Sequence, residues 1–206
     1  MEWLANCRVV DVRAATEHHT YVAAHAGSSG AIREALAAGI TGYEHGYDLD
    51  DETARAMAVP GVFLTPTLSV TRLPEWMRDH HFTEAQIDTA METGPGHLES
   101  IRRAVRAGVT LVNGTDYPPG EPCDGTVVAV REAEFLVEAG LTPAEALRAS
   151  TVNGARLLRL EDEVGAVETG LAADLIAVDG DPTQDLAPLR DIRLVVQAGR
   201  VLRWEP

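Results

Sequence analysis

The chain has 206 residues, enough for one domain of ordinary size or for one domain with a small appendage. With 45% hydrophobic and 24% charged residues it has a soluble globular composition, and no apolar run approaches the roughly 18 residues of a membrane-spanning helix. Its formal net charge of -15 opposes a nucleic-acid backbone, and its 17 basic residues are all arginine, so no phosphate-loop lysine, Schiff base or carboxylated lysine can come from it.

The opening Met1-Glu2-Trp3-Leu4-Ala5-Asn6-Cys7-Arg8 has neither a basic leader nor a sustained apolar stretch, so a cytoplasmic protein is expected. Cys7 and Cys123 stand far apart without Cys-x-x-Cys spacing and read as two reduced thiols. From Tyr21 to about Asp116, short apolar runs alternate with stretches of helical period, which is α/β organisation. The runs are Tyr21 to His25, Ile40 to His45, Val62 to Pro66 and Val109 to Asp116, giving four candidate strands. Ala31 to Gly39 predicts a helix facing the sheet through Ile32, Ala35 and Leu36 and closed by glycine. Asp50-Asp51-Glu52 places acids where the next helix begins, and Pro60-Gly61 closes it.

His25 and His45 are 20 residues apart, and His45 and Pro66 are 21 apart, about one strand plus one helix each time. Such equal steps suit repeated βα units, as in a barrel. The longer step to Asp116 predicts an insertion of helical and loop character around Leu73 to Gly96, placed where it could cover a site. Tyr117 to Pro122 reads as an irregular loop, followed by a helix from about Val127 to Ala139. Thr142-Pro143-Ala144-Glu145 has a capping threonine, a proline at the first helical position and a glutamate three residues past the cap, so another helix starts there and helices run to about Leu158. Beyond Leu160, Ala173 to Asp179 and Ile192 to Val196 read as strands, with Ala198-Gly199 a turn before Arg200-Val201-Leu202. The expected division is therefore 1–160 for the α/β part and 161–206 for a β appendage.

His25, His45 and Asp116 each close a predicted strand, and in a parallel barrel those ends gather at one mouth. Imidazole and carboxylate are ligands for zinc, manganese or iron, so a divalent metal site is expected. Asp116 suits a ligand, a base taking a proton from metal-bound water, or both. His18-His19 and His80-His81 are expected at the surface, since adjacent side chains do not converge on strand or helix. His97 is within reach of the mouth from the insertion, although a solvated loop position suits it better.

Val22-Ala23-Ala24-His25-Ala26, Tyr43-Glu44-His45-Gly46 and Gly114-Thr115-Asp116 resemble the fifth-, sixth- and eighth-strand motifs of the amidohydrolase superfamily. Val164 to Pro182 looks like that family's return into a small β-sandwich beside the barrel, and Pro66-Thr67 with the helix Ala144 to Ala149 is similar to the imidazolonepropionase-like and Xaa-Pro dipeptidase-like branch. The resemblance runs from about residue 10 to the end and implies the carboxyl-terminal half, about strands five to eight, of a (β/α)8 barrel followed by a β-sandwich segment. It implies that His25 and His45 bind one metal, that Asp116 binds another and transfers the proton, and that activated water attacks an amide, dipeptide or cyclic amide. Tyr117 and His97 are the candidates for touching that substrate.

The family's His-x-His pair and carboxylated lysine are both missing, and four strands stand where a closed barrel needs eight. A shortened product, a mis-assigned start or one half of a split enzyme each account for this. The chain is then a hydrolase completed by an amino-terminal half or, alternatively, an inactive remnant that self-associates and binds metal weakly.

Overall fold

The computed structural model describes residues 12, 14, 15, 17–118 and 120–205; Cys7 and the rest of the opening segment lie outside the described residues. The chain divides between Leu111 and Val112 into two compact units.

In the first unit, β1 (Ala23–Ser28), β2 (Gly42–Asp48), β3 (Phe63–Thr65) and β4 (Thr110–Leu111) form one parallel sheet in chain order. Parallel neighbours need a crossover, and the first two crossovers are α1 (Ser29–Ala37) and α2 (Asp51–Met57). Each starts on a side-chain cap: Ser28 accepts from the Ala31 N–H and Asp50 from the Thr53 N–H. The Thr53 hydrogen bonds, with Arg33 beside them, hold the Asp50 carboxyl well below the usual carboxylate range. As its periodicity predicts, α1 buries Ile32 and Ala35. Ile32, Tyr43, Leu49, Met57, Leu64, Leu68, Ile87 and Ile101 form a closed core, each apolar side chain contributing about 1.5–3 kcal/mol by leaving water.

The fourth predicted strand is much shorter than its apolar run. Only Thr110 and Leu111 pair with β3; the Asn113 N–H instead donates to the Ala149 carbonyl at 3.0 Å, and Asp116 turns the chain at φ +60°. The insertion is mostly helix: a 3-10 turn at Leu68–Thr71, α3 (Pro74–Asp79) and the 24-residue α4 (Glu84–Ala107). A reciprocal capping box between Thr83 and Gln86 starts α4, which runs through Gly94-Pro95-Gly96. Gly94 is required there, because a Cβ at that position would stand 2.6 Å from the Thr71 carbonyl oxygen. The missing side chain lets α4 settle against the 3-10 turn.

In the second unit the described residues from Tyr117 to Glu121 are irregular, as expected, and a hairpin not read from the sequence follows, β5 (Pro122–Cys123) and β6 (Thr126–Val127). Asp124-Gly125 makes the two-residue turn with φ of +50° and +75°. Then come α5 (Val128–Glu138), α6 (Pro143–Ser150) and α7 (Val152–Leu158); Thr142 and Glu145 form the predicted capping box. Arg190 reaches from the 3-10 turn Ala187–Arg190 to Glu134 with two parallel bonds of 2.8 and 2.7 Å. β7 (Leu175–Val178), β8 (Ile192–Gln197) and β9 (Arg200–Trp204) form an antiparallel sheet, the last two joined at Ala198-Gly199 as expected. Among the described residues no helix is long and apolar enough to cross a membrane.

Candidate metal centre

The centre is built on an irregularity of β2. Pairing with β1 slips between Ala26 and Ser28, whose partners are His45 and Asp48, and the extra residue is accommodated by positive φ at His45 (+73°) and Gly46 (+66°). A bulge leaves backbone groups without ladder partners, and buried Ser100 on α4 meets them: its hydroxyl donates to the Gly46 carbonyl at 2.6 Å and accepts from the Leu49 N–H at 2.8 Å. His25 and His45 therefore do not end their strands, which continue to Ser28 and Asp48. The bulge, and not the strand terminus, aims His45.

His45 Nε2 lies 2.7 Å from His25 Nδ1, and His45 Nδ1 lies 2.7 Å from Thr67 Oγ1. His45 is only 4% exposed, while His25 is exposed to solvent. The His45 ring stacks on Tyr47 with centroids 5.1 Å apart, and Gly27 makes room for Tyr47, since a Cβ there would meet its ring at 3.0 Å. Thr67 occupies the left-handed region at φ +53°, which is strained for a β-branched residue. Strain of this kind persists where surrounding structure holds it, and it concentrates at functional sites.

His97 supplies part of that hold. It is fully buried within α4 and not on a solvated loop. Its Nε2–H donates to the His45 carbonyl at 3.2 Å. Nδ1 then accepts from the Thr71 hydroxyl at 3.1 Å. Burial pulls the His97 imidazole down to about 4, outweighing the carbonyls that favour its cation. A neutral ring thus ties the backbone of His45 to Thr71 in the 3-10 turn.

Asp116 and Tyr117 belong to the second unit. Asp116 is exposed at the apex of a turn, where the Thr115 hydroxyl accepts from the Tyr117 N–H at 3.1 Å. His18, His19, His80 and His81 are exposed, as their pairing predicts, and the His80 ring lies on Trp76. Among the described residues no group of three or more His, Cys, Asp or Glu side chains is gathered as a ligand set. The two imidazoles nevertheless fit a shared ion. Nitrogen ligands at about 2.0–2.1 Å on a tetrahedral ion stand about 3.3 Å apart, a small opening from the separation seen. Metal-binding histidines also commonly fix their other nitrogen through a hydrogen bond, as His45 does with Thr67. Ser100 and Tyr47 escape detection in the sequence, where nothing marks a serine or tyrosine as part of such a centre, and Thr67 is noticed only through the Pro66-Thr67 resemblance, without its contact to His45.

The profile of the amidohydrolase family matches residues 4–202. The chain belongs to that family. It is similar to ochratoxinase of Aspergillus niger, 28% identical over 188 residues that cover 90% of this chain and 38% of that protein. It is also similar to imidazolonepropionase of Cutibacterium acnes, 31% identical over 193 residues covering 89% and 41%. Among solved structures, a Xaa-Pro dipeptidase with methionine bound in its active site matches with a TM-score of 0.82 and 32% identity, covering 95% of this chain and 48% of that one. The chain thus spans about two fifths to one half of the length of these relatives, and its α/β fold is similar to that portion of theirs.

Proposed function

We propose that this chain is the carboxyl-terminal part of a metal-dependent amidohydrolase that cleaves a carbon-nitrogen bond in a small amide, dipeptide or cyclic amide. The observation that carries the reading is the 2.7 Å approach of His25 and His45 on adjacent parallel strands, with the second ring held by the bulge. In this reading β1 to β4 are strands five to eight of a (β/α)8 barrel, and residues 161–206 are a β-sandwich segment. The names of the relatives, an ochratoxinase, an imidazolonepropionase and a Xaa-Pro dipeptidase, support hydrolysis of small molecules.

His25 and His45 hold a divalent ion, zinc with manganese or iron as alternatives, since imidazole suits all three. Such an ion, when bound, polarises the scissile carbonyl and lowers the pKa of water. By the family resemblance Asp116 binds a second ion and accepts the proton on a carboxylate oxygen, and Tyr117 beside it contacts the substrate. The remaining ligands come from a complementary amino-terminal half. Co-expression with such a half tests the proposal: metal-dependent amide hydrolysis that disappears in His45→Ala is expected, and its absence in a stable complex contradicts the proposal.

A second reading, a self-associating module without catalysis, is favoured by β9, where Val201, Leu202 and Trp204 are 56%, 58% and 68% exposed. Light scattering of the isolated chain separates the two: a stable homo-oligomer that excludes the complementary half favours the module.

A further inference from the structure

We infer that Tyr47 is the positioning residue that fixes the plane of the His45 ring and so aims its Nε2 at the ion shared with His25. The inference rests on the assignment of His45 as a ligand and adds what holds that ligand in line. The last torsion of a histidine side chain is broad, so rotamer preference alone does not set the ring plane. The contacts of His45 to Thr67 and His25 lie at the ring nitrogens, both at 2.7 Å, and a hydrogen bond at a ring edge tolerates tilt. A flat ring against the face does not. Tyr47 supplies that surface: its ring lies 6° from parallel to His45, with centroids 5.1 Å apart, which is an offset stack. An ion is more demanding than a hydrogen-bond partner, because it must meet the nitrogen lone pair in the plane of the ring, and ring orientation is what the surroundings of a ligand histidine set.

Tyr47 is itself braced from two further sides. The ring of fully buried His97 packs against it with centroids 4.6 Å apart and planes tilted by 60°. On β1, Gly27 leaves the tyrosine its place, since a Cβ there would stand 3.0 Å from Tyr47 Cδ2. The rings of His25, His45, Tyr47 and His97 thus form one contiguous row, with successive centroids 4.3, 5.1 and 4.6 Å apart. The row runs from exposed His25 to the core. Its metal-facing end is therefore steadied through Tyr47 by a side chain that solvent does not reach.

Substitutions on both sides of the stack test the inference. Tyr47→Phe keeps the aromatic face, Tyr47→Leu keeps apolar bulk without it, and Gly27→Ala pushes on the tyrosine from β1. Zinc affinity, measured by competition with a chromophoric chelator, is expected to stay within about threefold of the natural chain in Tyr47→Phe and to fall about tenfold or more in Tyr47→Leu. Gly27→Ala is expected to weaken zinc binding in the natural background and to change it little in Tyr47→Leu, because its close contact is with the ring that the second variant lacks. Equal losses in both backgrounds contradict an action through Tyr47. A folded Tyr47→Leu chain that binds zinc as tightly as the natural one overturns the inference, as does a Tyr47→Phe chain as weak as Tyr47→Leu, which moves the effect to the hydroxyl. Proton–carbon spectra of the metal-free chains read the His45 ring directly, with sharp ring resonances expected in the natural chain and Tyr47→Phe and broadened ones in Tyr47→Leu. If the natural chain binds no zinc, the metal assignment fails and these spectra decide alone: broadening confined to Tyr47→Leu supports the role of Tyr47 in fixing the ring, and unchanged resonances defeat it.

Discussion

Nε2 of the nearly buried His45 stands 2.7 Å from Nδ1 of the exposed His25. The two residues are 20 positions apart in sequence and would sit side by side in any parallel βα repeat. Direct facing requires more than adjacency, because ladder pairing sets His25 opposite Glu44 and Ala26 opposite His45. The bulge bridges that one-residue offset, so whatever supports the bulge supports the centre.

Ser100→Ala removes the hydroxyl that serves the Gly46 carbonyl and the Leu49 N–H. Stability is expected to fall by about 1–3 kcal/mol, the cost of leaving buried backbone groups unserved, and zinc affinity is expected to fall with it. Thr142→Ala, which breaks the capping box of α6, is expected to cost about 1 kcal/mol without changing zinc affinity. Urea unfolding and chelator competition on both variants check the contrast.

Burial holds His97 at about 4 in the folded chain, against an ordinary value of 6.5. The depressed value makes the unfolded chain the better proton acceptor between those two, so stability is lost as pH falls through that window. The expected loss is about 2 kcal/mol from pH 7 to pH 5 and about 3 kcal/mol in full. In His97→Gln this part of the dependence should vanish. Urea midpoints measured across the window compare the two chains.

Gly94 and Gly96 lie on the same helix with opposite surroundings. A Cβ at Gly94 meets the Thr71 carbonyl at 2.6 Å, whereas at Gly96 nothing lies within 4 Å. Gly96→Ala should stabilise by up to about 1 kcal/mol through helix propensity. Gly94→Ala gains the same propensity but must push α4 off the 3-10 turn, for a net expected loss of about 1–3 kcal/mol. Thermal denaturation of the two variants gives the signs.

Much of the first unit is legible from sequence because local chemistry and tertiary structure agree. The acidic start of α2 at Asp50, the Ile32 and Ala35 face of α1 and the apolar runs of β1 to β3 all form where their residue types favour them. Thr142 and the Ala198-Gly199 turn are read for the same reason. Gly94-Pro95-Gly96 reads as a breaker, yet close packing on Thr71 and the preceding capping box carry α4 through it, which also hides the burial of His97. The Asp124-Gly125 hairpin signal was present but obscured by the prolines before it. The bulge at His45 had only Gly46 to announce it, and strand-end logic therefore placed both histidines three residues too late in their strands.

The central claim is that His25 and His45 form one metal-binding unit. Its most direct test is elemental analysis of the purified chain after gel filtration, beside a His25→Ala, His45→Ala double variant of equal secondary-structure content. Near-stoichiometric zinc, manganese or iron in the natural chain and its loss from the variant is the predicted result. Equal metal content in the two proteins, whether both empty or both loaded, would contradict it.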